Sequence, residues 1–219
     1  MKYSKAVVLM GLFLGLLLMA ASSGRAADLP KAKLPVMTTS AGQSQDATTV
    51  NIVCDEAGIG YDYCDVPTVE ILTAGVGLAG KKPAEGFHVE VHTDLAKYPK
   101  GTPYKTVIFA IGASLKGMGA SGLTVDTEEA RLKALVAACK QKKIFMIGVH
   151  VGGKSTRGAQ GSDNEKMIDA VAPECNFLIV TKESNFDGRF TKISKAKNIP
   201  LIEVEFALDL VDIFKKVFQ

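Results

Sequence analysis

Apolar residues come in short runs along this chain, and polar, glycine-bearing stretches separate them. Residues 106–111 (TVIFAI) and 144–149 (IFMIGV) are apolar almost throughout, the signature of strands covered on both faces. Residues 34–39 (LPVMTT), 177–180 and 201–204 read as further strands. Residues 87–92 (FHVEVH) alternate strictly: Phe87, Val89 and Val91 on one face, His88, Glu90 and His92 on the other. That pattern marks a strand with one solvated face, at the edge of a sheet.

Between the strands the period changes to that of helices. Val50, Val53, Cys54 and Ala57 share one helical face, and Gly58 stops the helix. Ser44 or Asp46 is its candidate cap. Leu132, Leu135, Val136 and Cys139 line a second helix, which opens with Asp126, Glu128 and Glu129 and closes with Lys140, Lys142 and Lys143, as the helix dipole favours. Met167, Ile168 and Val171 mark a third helix. Residues 190–197 form another, and Leu210, Val211, Phe214, Val217 and Phe218 line the last. Residues 60–86 show no firm period and read as an insertion or lid.

Alternating strands and helices predict an α/β fold: a three-layer, doubly wound parallel sheet. With 87–92 as second strand and 106–111 as third, the flavodoxin-like order 2-1-3-4-5 puts the polar strand at an edge and the apolar one at the centre. A sixth strand then extends the far edge. Residues 27–219 are expected to form one domain.

The first 26 residues lie outside that domain. Lys2 and Lys5 precede an apolar run from Ala6 to Ala21, and small residues follow to Ala26. This is the pattern of a secretory signal peptide over residues 1–26, with an uncleaved anchor as the alternative. A periplasmic or secreted location follows. Lys2, Lys5 and Arg25 account for the whole formal charge of +3, so the remainder is neutral. A neutral chain gives no electrostatic case for nucleic acid or for stable membrane association once the leader is removed.

In a doubly wound sheet, ligands bind beyond the carboxyl ends of the strands. The loops there are residues 40–44, 112–122, 150–164 and 181–188. They supply the candidate ligand-binding residues: Ser40, Gly42, Gln43, Ser44, Gly112, Lys116, Gly117, Gly119, His150, Gly152, Gly153, Arg157, Lys182 and Asn185. Their cations and amides suit a small anionic molecule, held by Gln43, the amides after Ser40, Lys116 and Arg157. Residues 117–122 match G-x-G-x-x-G by letters, but the loop lacks a Gly-Lys-Ser/Thr ending and follows the third strand, so no nucleotide or other cofactor is expected. Residues 112–116 have lysine where a nucleophile elbow needs its second glycine. A hydrolase or transferase using Ser40 or Ser114 with His150 is the enzymatic alternative, and a structural or partner-binding module the third; no catalytic residue is assigned. His88, Glu90 and His92 are read as a solvated strand face, with no metal site. Cys54, Cys64, Cys139 and Cys175 in an exported chain suggest Cys54–Cys64 and Cys139–Cys175 disulfides, all at the end of the sheet opposite the site; buried free thiols are the alternative.

The stretches 35–44 (PVMTTSAGQS), 117–122 (GMGASG), 150–153 (HVGG) and 182–188 (KESNFDG) resemble an exported bacterial family, domain of unknown function 6305. The resemblance spans nearly all of the mature chain. It implies a single exported domain with no established reaction.

Overall fold

The computed structural model describes residues 29–80 and 87–219; the leader expected at 1–26 lies outside them. The fold is α/β, with seven strands in one mixed, mostly parallel sheet. The strands are β1 (Val36–Ala41), β2 (Tyr61–Cys64), β3 (Val89–Val91), β4 (Thr106–Ile111), β5 (Phe145–His150), β6 (Phe177–Thr181) and β7 (Leu201–Val204), in the order β3-β2-β1-β4-β5-β6-β7. Every residue of β4 is buried, and β1 and β5 flank it in parallel register.

The exact 2-1-3-4-5 order expected above is not what forms. Within the stretch read as an insertion or lid, Tyr61–Cys64 forms β2, which pairs with β1 and pushes the FHVEVH segment one place outward; residues 81–86 lie outside the described residues. That segment is the edge strand, as its alternation indicates, but it runs antiparallel to β2. β2 escaped recognition because its YDYC pattern places an acid in mid-strand. Asp62 is fully buried there, and its carboxylate accepts from Tyr104 Oη and Gly77 N, both at 2.6 Å.

Helices cover both faces. Helix α1 (Asp46–Ala57) and α7 (Leu210–Val217) pack Val50, Val53, Leu210 and Phe214 on the β4–β6 residues Ile108, Ile147 and Ile179. On the opposite face α2 (Val69–Ala74), α4 (Val125–Lys142), α5 (Asp163–Val171) and α6 (Arg189–Lys197) enclose Phe109 and Leu178 with Leu72, Leu132, Met167 and Phe190. Residues 112–122, expected as loop, hold the short helix α3 (Leu115–Ala120), capped by the Ser114 hydroxyl accepting from Gly117 N. The cap of α4 is Thr124. Helix α1 begins after Gln45 without a side-chain cap, although Ser44 Oγ accepts from Asp46 N.

The disulfides do not form. All four cysteines are buried free thiols. Cys54 packs in the α1/α7 layer and Cys64 in the opposite one, so the sheet itself separates them. Cys64 also ends β2, at the carboxyl end of the sheet rather than the far end. Burial pushes the Cys64 and Cys139 thiols up to about 12, so they carry no thiolate character near neutrality.

Candidate functional site

Three loops meet over the carboxyl ends of β1, β4 and β5, at the point where the chain leaves β1 on one face and β4 on the other. They enclose a cleft of about 660 Å³. Its walls come from Gln43–Thr49 after β1, Ala113–Ala120 after β4, and Val151–Thr156 after β5. Half of the lining residues carry hydroxyl or amide side chains, and two are charged, Asp46 and Lys116.

The local sequence explains how the walls approach so closely. Gly42 sits at φ 110°, and a Cβ there would meet the Gly112 carbonyl oxygen at 2.5 Å. The β1 and β4 loops therefore touch backbone to backbone, which only glycine permits. Gly152 leaves room for the Asp46 carboxylate, which a Cβ would meet at 2.6 Å. Asp46 Oδ2 accepts from Val151 N (3.2 Å) and Gly152 N (3.0 Å), joining the first turn of α1 to the β5 loop. The protein's own carboxylate thus fills the anion-favouring pole that the start of α1 and these amides would offer.

Of the residues expected to bind a ligand, Gln43, Ser44, Lys116, Gly117 and Gly152 line the cleft. Others sit beneath it as framework. Ser40 Oγ accepts from Gln43 N (2.8 Å), and Gly42 N donates to Glu128 Oε1 (2.8 Å). Gly112 lies against Ser44 and Asp46. Gly153 N donates to Ser184 Oγ (3.1 Å). Gly119 lies in α3 and faces open space.

Arg157 does not reach the cleft. Its guanidinium is buried, donating to Glu165 Oε1 (2.7 Å), to Asp187 Oδ2 (2.9 Å) and to the Ser184 carbonyl. Lys182 is exposed on the outside and pairs with Glu205 (2.6 Å). Asn185 braces the β6 loop, donating to Thr191 Oγ1 and Glu203 Oε1 and accepting from Phe190 N. All three are polar loop residues, and only their tertiary partners separate them from ligand-facing ones. Sequence reasoning missed Asp46 as a cleft residue, having read it as a helix cap. It also missed Ser155 and Thr156, whose position in a 3₁₀ turn (Gly153–Thr156) gave no sequence signal.

His150 is buried under the β5 and β6 loops. Nδ1 is 2.9 Å from Ser184 Oγ and Nε2 is 3.5 Å from Thr156 Oγ1, so its partners are neither Ser40 nor Ser114. The Ser114 hydroxyl is occupied in capping α3. Burial, reinforced by the nearby Arg157 charge, holds the imidazole down at about 4. Because the unfolded imidazole titrates near 6.5, the unfolded chain takes up a proton first as pH falls. Stability is accordingly expected to fall between about pH 6.5 and pH 4, by up to about 1.4 kcal/mol per pH unit. Burial raises Asp46 and Asp65 above their ordinary values, which works in the opposite sense. Urea unfolding across this window, with His150→Asn as comparison, isolates the effect: the wild type loses more stability on acidification, and equal slopes refute the assignment.

Glu90 lies in β3, and His88 and His92 flank the strand. The two imidazole Nε2 atoms lie 2.6 and 3.0 Å from the Glu90 oxygens, and His92 stacks on Tyr61. Among the described residues, no group of His, Cys, Asp or Glu has the arrangement to hold a metal ion.

Residues 33–218 match the family described as Domain of unknown function (DUF6305), and the chain belongs to it. No curated protein and no solved structure matches the chain.

Proposed function

We propose that this member of a family without an assigned reaction is a binding domain for a small solute carrying an acidic group, taken up in the cleft over β1, β4 and β5. The observation that carries the reading is the convergence of three loops on one cavity whose only cationic lining residue, among those described, is Lys116. Asp46 already fills the amides of Val151 and Gly152, so the acidic group of a ligand is met at Lys116. Gln43, Ser44, Ser114, Ser155 and Thr156 supply the remaining donors and acceptors. A cavity of this size suits a metabolite rather than a macromolecule.

Heteronuclear NMR titration with acetate, propionate, butyrate and inorganic phosphate, with glycerol as neutral reference, tests the reading. At least one acidic compound is expected to shift amide signals at residues 43–49, 113–120 and 151–156 saturably. Lys116→Gln is expected to weaken that compound about tenfold, as loss of a charge-assisted hydrogen bond does. Shifts that glycerol reproduces, or that survive Lys116→Gln unchanged, overturn it.

The proposal includes export, from the leader pattern of residues 1–26. The intact mass and the cell fraction of the chain recovered from its native cell check this: a chain starting near residue 27 outside the cytoplasm supports export, and a full-length chain in the cytosolic fraction overturns it.

A further inference from the structure

We propose that the cleft selects a small acid that also carries an ammonium group, its carboxylate on Lys116 and its ammonium on Asp46 Oδ1. This rests on the reading of the cleft as a site for an acidic solute and adds the second half of the ligand.

The two oxygens of Asp46 are in unlike situations. Oδ2 accepts two backbone N–H groups. No hydrogen bond to Oδ1 is made among the described residues, and the Ser44 hydroxyl is the one side-chain donor to this carboxylate. The side chain belongs to a residue only 3% exposed, and that residue lines the cleft. The small remaining opening of Asp46 is therefore toward the cavity.

No positive charge neutralises this carboxylate. The groups around it are Ser44 Oγ from the β1 loop, the Gly112 backbone from the β4 loop, and Val151, Gly152 and Thr156 from the β5 loop, all uncharged. Burial accordingly raises the Asp46 carboxyl above its usual range, with no cation among the influences on it. Lys116 lines the same cavity from α3 without pairing to Asp46. The cleft therefore presents one unmatched cation and one unmatched anion.

A zwitterion satisfies both. A plain acid satisfies Lys116 but covers Asp46 Oδ1 without giving it a donor. Sites built around a buried polar group discriminate strongly against analogues that leave the group unpaired. An ammonium adds charge to its donors, which strengthens the hydrogen bond to a carboxylate.

Calorimetric titration of the protein with two matched series decides the matter: acetate, propionate and butyrate against glycine, β-alanine and 4-aminobutyrate. The amino series also scans the spacing between the charges. At least one amino acid is expected to bind tenfold or more tightly than its matched acid. In Asp46→Asn, whose side-chain oxygen still accepts from Val151 and Gly152, that ratio is expected to fall to within twofold. Should Asp46→Asn fail to fold by circular dichroism, the wild-type ratio alone decides. Acids that bind as well as their amino partners, or a preference that persists in Asp46→Asn, overturn this inference and leave the acidic-solute reading standing. If neither series binds, both fall.

Discussion

Arg157→Ala is expected to lower the free energy of unfolding by about 3–5 kcal/mol, the cost of breaking a buried ion pair by removing one partner. Arg157 and Glu165 are each about 1% exposed at the side chain. Removing the guanidinium leaves Glu165 buried with Arg189 (2.8 Å) and Gly158 N (3.1 Å) as its remaining partners. It also strips Asp187 of its counter-ion and the Ser184 carbonyl of a donor. The ring of Phe190, 5.4 Å from the guanidinium carbon, loses a stacked cation as well. Arg157→Lys keeps the charge but not the planar fork that serves several acceptors at once, so an intermediate loss is expected. Lys116→Gln is the control: half a turn into a short exposed helix, it should change stability by less than about 0.5 kcal/mol. Urea denaturation of the three variants measures this directly. An Arg157→Ala midpoint close to wild type would mean the network is dispensable.

Glu128→Ala is expected to cost a similar amount, about 3–5 kcal/mol, for the same reason applied to the other wall of the cleft. Glu128 is fully buried near the start of α4. Its Oε1 accepts from Gly42 N at 2.8 Å, and both oxygens accept from Arg131 at 2.7 Å. Arg131 in turn donates to the Ser40 carbonyl at 2.8 Å. Removing the carboxylate leaves a nearly buried guanidinium without a counter-charge and the Gly42 N–H without an acceptor. Glu128→Gln retains an acceptor for Gly42 and is expected to cost less, about 1–3 kcal/mol. Hydrogen exchange gives a second readout. Amides of residues 42–44 should lose protection in Glu128→Ala beyond the global loss of stability. Protection that falls evenly along the chain would assign Glu128 to the core at large instead.

These two residues show where sequence reading stops. The acids at the start of α4 look like ordinary complements to a helix dipole. One of them, Glu128, reaches a backbone amide 86 residues away and fixes the loop that carries Gln43 and Ser44. Arg157 reads as a ligand-binding cation because it lies in a polar loop at the correct end of the sheet. Its acids, Glu165 and Asp187, come from two other segments, and no spacing in the chain announces their convergence. The cysteine pairing failed similarly: Cys54 and Cys64 are ten apart in sequence, yet a strand lies between their layers.

The α/β class, the central place of the 106–111 strand and the edge position of FHVEVH were legible in the chain, because burial on two faces, one face or a helical stripe writes a different period into it. The chain also pointed to four loops at the carboxyl ends of the strands, three of which line the cleft while 181–188 does not. Tertiary structure alone decided that Tyr61–Cys64 is a strand, that the thiols are unpaired, and that Asp46 faces the cleft while Arg157 does not. Each of these turns on whether a buried polar group finds its partner. Periodicity records only how apolar a position is. It carries nothing about which distant donor or acceptor stands opposite, and that pairing separates a framework charge from one open to a ligand.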